Sequence, residues 1–289
     1  MNEPIHKILV PTDGSPASEA VFPAVMPLVR AYKPEVLLFY VFEDPDEAPH
    51  FSDQVRWSGT TLKTAGVNVR LLMRAGNPAQ EILRIARSEK VDLIAMATQG
   101  RRGVPRLFAG SVAEEVLRHS DLPLLVTRPG VQVREWNTIV VALDGSARAE
   151  EVLPDAVRLA RRMGASLQVL QVTLPIVASV MAEVPIVLAP EDPWPYLNRI
   201  LARLQSQGVR ATAVALEGTA ATEILGHLET SGASLLCMST HGRSGLSRLL
   251  LGSVAEEVLR RSPCPVLLRR TVAAEAVMEP LPLGVVSAT

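Results

Sequence analysis

Lysine is nearly missing from this chain. Lys7, Lys33, Lys63 and Lys90 are the only four, and none follows residue 90. An anion held by the second half must therefore be met by arginine, backbone N–H groups or a metal. Cysteine is scarcer still. Cys237 and Cys264 fall in apolar, strand-like context, one late in its strand and the other at the start of the next. On parallel neighbours that spacing puts the thiols at opposite ends of the sheet, too far apart for a disulfide, so two buried free thiols in a reducing cytosol are expected. No excess of charge of either sign is present: the formal net charge is −1, which argues against a general nucleic-acid binder. The longest apolar tract, 174–190, is interrupted by Glu183 and two internal prolines. It falls short of the roughly 20 residues a spanning helix needs. The first residues carry no signal-peptide pattern, so a cytoplasmic protein without a membrane segment is expected. Two phosphate-binding signatures are missing as well. Neither Gly-x4-Gly-Lys-Ser/Thr nor Gly-x-Gly-x-x-Gly occurs, which excludes a Walker loop and disfavours a nicotinamide dinucleotide. His6, His50, His119 and His227 are scattered without metal-ligand spacing.

What is present is apolar mass and a repeat. The chain is 48% apolar and 20% charged, the composition of a globular protein with ample core. Its 289 residues suggest two domains at about 150 each. Ile8-Leu9-Val10-Pro11-Thr12-Asp13-Gly14-Ser15 recurs as Ile139-Val140-Val141-Ala142-Leu143-Asp144-Gly145-Ser146, at an offset of 131. The offset holds at Pro23 and Pro154 and at Val41 and Val172. It then becomes 142, matching Gly66 to Gly208, Gly76 to Gly218, Gly100 to Gly242 and Gly110 to Gly252. Eleven extra residues therefore lie between Val172 and Gly208. A register kept this long means two copies of one domain, here 1–130 and 137–271, joined by a short linker at 128–136 and followed by a tail at 272–289.

Each copy reads βαβαβαβαβ. The first has strands over 6–11, 36–41, 67–73, 91–97 and 122–127. Its helices begin at Pro16, capped by Ser15, and lie at 52–65, 78–89 behind Asn77, and 111–120. Pro23 and Pro27 should kink or break the first helix. The second has strands over 138–142, 166–172, 209–216, 234–238 and 265–269. Strands apolar on both faces belong in a parallel sheet covered by helices. The fold class is thus α/β: two tandem doubly wound domains, each a five-stranded parallel sheet of order 3-2-1-4-5 with helices on both faces. The ligand crevice of such a sheet lies at the carboxyl ends of the strands where the winding reverses, between Asp13 and the loop after 97, and between Asp144 and the loop after 239.

Those loops carry the candidate chemistry. Each runs from an apolar strand through glycines and arginines to Gly-Ser at a helix start: Ala97, Gly100, Gly110, Ser111, Val112 in one copy and Ser239, Gly242, Gly252, Ser253, Val254 in the other. Unpaired N–H groups and a partial positive charge make a helix start a ready place for phosphate. Asp13 and Asp144 read as carboxylates at the crevice floor, touching a ribose hydroxyl or a metal near phosphates. A turn-and-cap residue would look the same, and recurrence in both copies favours function. Arg101, Arg102, Arg106, Arg243 and Arg248 could grip phosphates or pair with Glu114, Glu115, Glu256 and Glu257. His241 faces Gln99 in the twin, so no titrating group is shared, and no catalytic constellation emerges.

At these residues the sequence resembles the universal stress protein family in its tandem two-domain form. The nucleotide-binding pattern of that family, Gly-x2-Gly-x9-Gly-Ser/Thr, is matched by Gly100 with Gly110-Ser111 and by Gly242 with Gly252-Ser253. Ala97 and Ser239 stand where its first glycine would be. The resemblance implies that Asp13 and Asp144 sit by ribose and phosphates and that the backbone of Val41 and Val172 meets adenine. It implies that Thr12 and Leu143 line the pocket, with Pro11, Ala142, Val112 and Val254 beside them. It further implies ATP, often with Mg2+ or another divalent ion, and pairing through the last strands, here as an internal pseudo-dimer with a homodimer as a further arrangement. The function expected is an ATP-binding sensor or regulator in stress response, one site per domain, without enzymatic activity. The alternatives are a weak ATPase and a nucleotide-free interaction scaffold using 174–190.

Overall fold

The computed structural model describes residues 4–42, 48–98, 111–174, 176–178, 186–188, 192–240 and 251–271. The acidic segment 43–47, the candidates Gly100, Gly110 and Gly242, the loop arginines with Gln99 and His241, and the tail 272–289 lie outside the described residues.

The first half runs β1 (Lys7–Thr12), α1 (Pro16–Glu19), α2 (Phe22–Tyr32), β2 (Glu35–Phe42), α3 (Ala48–Thr64), β3 (Asn68–Ala75), α4 (Pro78–Ser88), β4 (Leu93–Ala97), α5 (Ser111–His119) and β5 (Leu124–Thr127). The second repeats it as β6 (Thr138–Leu143), a 3-10 turn (Ala149–Val152), α6 (Leu153–Met163), β7 (Ser166–Thr173), a hairpin of β8 (Ile176–Ala178) and β9 (Ile186–Leu188), α7 (Trp194–Ser206), β10 (Ala211–Glu217), α8 (Ala220–Thr230), β11 (Leu235–Ser239), α9 (Ser253–Arg261) and β12 (Val266–Arg269). Both halves adopt the order 3-2-1-4-5, with parallel neighbours throughout.

The helix starts follow from local chemistry. The Ser15 hydroxyl accepts from Ser18 N at 3.1 Å, and Asn77 Oδ1 accepts from Gln80 N at 3.1 Å, each satisfying an otherwise orphan donor. The helix expected from Pro16 is broken in two. α1 ends at Glu19, and α2 restarts with Pro23 in its first turn and carries Pro27 in its interior, since proline has no N–H to continue a helix but suits its start. The apolar tract 174–190 contributes β8 and β9, which pair antiparallel with each other and form a two-stranded sheet of their own.

The halves do not merely abut. β5 and β12 pair antiparallel, with Leu125 opposite Leu267, and fuse the two sheets into one of ten strands. Each half thereby buries a strand edge that would otherwise be open to pairing. Strand side chains alternate between two cores. One face packs under α2, α3, α6 and α7, the other under α4, α5, α8 and α9. This alternation corrects the expectation for the cysteines. Cys237 is the middle residue of β11, and Cys264 sits two residues before β12. They belong to opposite faces, three residues apart along the register rather than at opposite ends of the sheet, and both are the expected buried free thiols. Across the seam Tyr32 Oη donates to Arg158 O at 3.1 Å, Arg162 Nε to Ala31 O at 2.7 Å and Arg128 Nε to Ser262 O at 2.9 Å.

Candidate functional site

In the second half β6 lies between β7 and β11. The chain leaving β6 enters α6 on one face, and the chain leaving β11 enters α9 on the other. The split leaves a cleft of about 430 Å³ at the carboxyl ends of the strands, within the size range of small-molecule sites. Every described second-half candidate lines it: Ala142, Leu143 and Asp144 from the end of β6, Val172 from β7, Ser239 from β11, and Gly252, Ser253 and Val254 at the start of α9.

Asp144 is oriented by its own turn. Its Oδ1 accepts from Ser146 N at 3.0 Å and Ser146 Oγ at 2.7 Å, while Ser146 Oγ accepts from Ala149 N at 3.1 Å. Asp13 repeats the first of these bonds, accepting from Ser15 N at 2.9 Å. Carboxylate orientation is thus written into Asp-Gly-Ser, with Gly145 at φ 88° and Gly14 at φ 73°, where only glycine is comfortable. At the other wall, Gly252 N donates to Thr240 O at 3.1 Å and Thr240 N to Arg269 O at 2.9 Å. The two ends of the glycine-arginine loop are thereby pinned together at the sheet edge. α9 begins at Ser253, and its N-cap Gly252 has no side chain to occupy the first N–H groups, so they face the cleft end of the helix.

Ser239, where the family pattern has glycine, turns its hydroxyl to Ala149 O at 3.2 Å. The first half fills the same space differently. There Thr12 Oγ1 meets Ser18 Oγ at 2.9 Å and accepts from Gly14 N at 3.0 Å. Leu143 replaces Thr12, Ala149 replaces Ser18, and Ser239 replaces Ala97. One hydroxyl moves from the first strand to the fourth, and in both halves it is bonded toward the following helical turn.

In the first half Pro11 and Thr12 end β1, Val41 lies in β2, Ala97 ends β4, and Ser111 and Val112 open α5. β1 lies between β2 and β4, so the strand ends that carry Pro11, Thr12, Val41 and Ala97 come together there, with Asp13 just beyond. Sequence reasoning missed Leu170, Gln171, Gly218, Ile224, Met238 and Thr240 of the second cleft. Gly218 had a signal, since Gly76 recurs as Gly218 at the offset of 142. Their φ values are 142° and 145°, and Gly76 N donates to Phe42 O at 3.0 Å as Gly218 N does to Thr173 O at 2.9 Å. Each glycine ties the third strand to the second at the cleft's edge.

Asp144 is the one titratable side chain among the described lining residues. Beside it, burial raises the Tyr196 phenol well above its usual value, and the Glu150 and Asp144 carboxylates add to the shift. Among the described residues no group of three or more His, Cys, Asp or Glu could hold a metal, and no helix is long and apolar enough to cross a membrane. The arrangement can seat a half-apolar molecule. Leu170, Val172, Ile224 and Met238 offer an apolar lining, Asp144 an acceptor for hydroxyls, and α9 donors for an anion.

A family model described as the universal stress protein family matches residues 4–128 and again residues 135–270. The chain belongs to the universal stress protein family. Universal stress protein YxiE of Bacillus subtilis is 33% identical over 147 residues, which are 47% of this chain and 99% of that protein. Universal stress protein Slr1230 of Synechocystis is 27% identical over 218 residues, covering 72% of this chain and 67% of that one. A crystal structure of a universal stress protein from Archaeoglobus fulgidus aligns with a TM-score of 0.72 at 22% identity, over 93% of this chain and 97% of its own. That likeness extends the tandem fold across both halves.

Proposed function

We propose that this universal stress protein binds ATP, one molecule per half, and acts as a nucleotide-dependent sensor or regulator rather than as an enzyme. The observation that carries the reading is the 430 Å³ cleft whose apolar lining, Asp144 and α9 start converge at the switch point between β6 and β11. Adenine fits the apolar lining against Val172, the ribose hydroxyls fit the acceptor Asp144, and the phosphates fit the N–H groups at Ser253 and Val254. With four lysines, none near the second cleft in sequence, backbone donors and loop arginines carry the anion. A Mg2+ ion would then be held by the phosphates and Asp144, not by a protein cage. His241 in one loop stands where Gln99 stands in the other, so the two loops share no titrating base for turnover, which supports binding in both halves.

Mass analysis of small molecules released from the purified protein, with calorimetric titration of ATP, tests this. Two sites per chain are expected. Gly252 has φ −59° and ψ 142°, a conformation open to any residue, so Gly252→Val leaves the turn intact and removes only the room at α9. That variant should retain one site. A chain that releases no nucleotide and takes up none from added ATP refutes the reading.

A further inference from the structure

One face of β7 leads from the core to solvent. Leu170 and Val172 point to the side of the sheet that carries α8 and α9, and Leu174, two residues on, continues the row just past the strand end. All three line the second cleft. Leu170 is fully buried, Val172 is partly buried and Leu174 is 66% exposed. An exposed leucine is by itself ordinary. This one is the outer end of a row whose inner members form the cleft wall. Two strand residues span about 7 Å, room for a flat ring system to lie from Val172 to Leu174. At the offset of 131 the first copy has Phe39, Val41 and Glu43 in this row, which there ends on a carboxylate. An apolar outer end therefore belongs to one cleft of the two.

We propose that Leu174 is the lip of the second cleft: the base of the bound nucleotide closes onto it, and its exposed side chain is covered when the ligand is seated. This rests on the nucleotide reading above. With Asp144 taking the ribose and the start of α9 the phosphates, the base lies over Val172, and the apolar row continues beneath it to Leu174. Covering an apolar side chain removes its area from water and is favourable, whereas a carboxylate such as Glu43 is better left in water. The second half thus gains base contact that the first lacks. Because Leu174 is mostly exposed before binding, its contribution is to ligand affinity and not to folding.

Both native cysteines are buried, so Leu174→Cys places one accessible thiol at the lip. Its labelling by a thiol reagent at pH 8 should slow by about tenfold or more at saturating ATP, and ATP should give no protection once Gly252→Val closes the second site. In calorimetry, Leu174→Ala should weaken ATP at one of the two sites about fivefold and leave the melting temperature of the unliganded chain unchanged. A thiol labelled at the same rate with ATP bound, protection that survives Gly252→Val, or unchanged affinity in Leu174→Ala overturns the proposal while leaving the nucleotide reading intact. A melting temperature that falls with Leu174→Ala also overturns it, since the leucine then packs on its own chain. An unsubstituted chain that binds no ATP overturns both.

Discussion

Asp155 is 3% exposed in the first turn of α6, and two guanidinium groups meet it. Arg158 Nη2 lies 3.0 Å from Oδ1 and Arg269 Nε lies 2.9 Å from Oδ2. Arg269 also donates through Nη1 to Asp121 O at 3.1 Å, on the other half of the chain. Asp155→Asn removes the charge and leaves both arginines facing a neutral amide. Breaking a buried pair by deleting one partner costs about 3–5 kcal/mol. The arginine side chains keep 18% and 27% of their exposure, so water compensates in part and the low end, about 3 kcal/mol, is expected. At about 2–4 °C per kcal/mol for a chain of this size class, the melting temperature should fall by roughly 6–12 °C. Denaturant unfolding measures the free energy directly. A cycle of Asp155→Ala with Arg269→Met should show the second truncation costing less on top of the first, since the orphaned charge is then gone. A loss under about 1 kcal/mol, the range of exposed pairs, would refute the assignment of Asp155 as a buried tie.

Two further outcomes follow from titrating groups. His227, half-buried on α8 and 2.6 Å from Gln168 Oε1, has its pKa lowered by burial below the ordinary value of 6.5. The folded state favours the neutral ring. Its stability contribution is therefore complete above pH 6.5 and is lost as pH falls toward the lowered value, because the unfolded chain takes the proton first. His227→Asn should flatten the stability–pH curve below pH 6.5, and an unchanged slope would refute the burial account. Burial likewise pushes the Cys264 thiol up to about 11 and the Cys237 thiol well above its ordinary range. A thiol reagent at pH 8 should label neither in the native protein and both in denaturant, and rapid native labelling of either would contradict the packing of β11 against β12.

Much of this was legible in the sequence because the signals are local and doubled. Asp-Gly-Ser at two strand ends and Gly-Ser at two helix starts are turn and cap chemistry, and the repeat placed both at the same topological point. What was not legible depends on facing. In a parallel strand buried on both sides, apolar residues occupy both faces, so nothing in Leu167-Gln168-Val169-Leu170-Gln171 says which glutamine faces which core. Gln168 meets His227, and Gln171 meets no protein group through Oε1. The facing of Cys237 and Cys264 was hidden for the same reason, since pleat phase as well as three residues of strand register separates them. The exchange of hydroxyls between Thr12–Ser18 and Ser239–Ala149 was also hidden, because Ser239 and Ala149 are 90 residues apart and meet only once the helical turn packs on the fourth strand.

The seam decides how two such sites can influence each other. Because β5 and β12 run antiparallel, the carboxyl ends of the two half-sheets point in opposite directions, and the two switch points lie at opposite edges of one sheet. Between the two switch points stand β11, β12, β5 and β4, a span of about 19 Å at the usual strand spacing. No single nucleotide bridges that arrangement, so coupling between the halves must run through the sheet and its helices. Arg269 is the residue placed to carry it. Its backbone pairs with Ser239 and accepts from Thr240 N at the floor of the second cleft, and its guanidinium holds Asp155 on α6 and the Asp121 carbonyl across the seam. The matching residue of the first half is Thr127, whose carbonyl accepts from Thr98 N at 2.8 Å but whose side chain cannot reach so far. The tie from cleft to seam is therefore one-sided. Linkage is reciprocal, so whatever coupling this tie carries acts equally from either half.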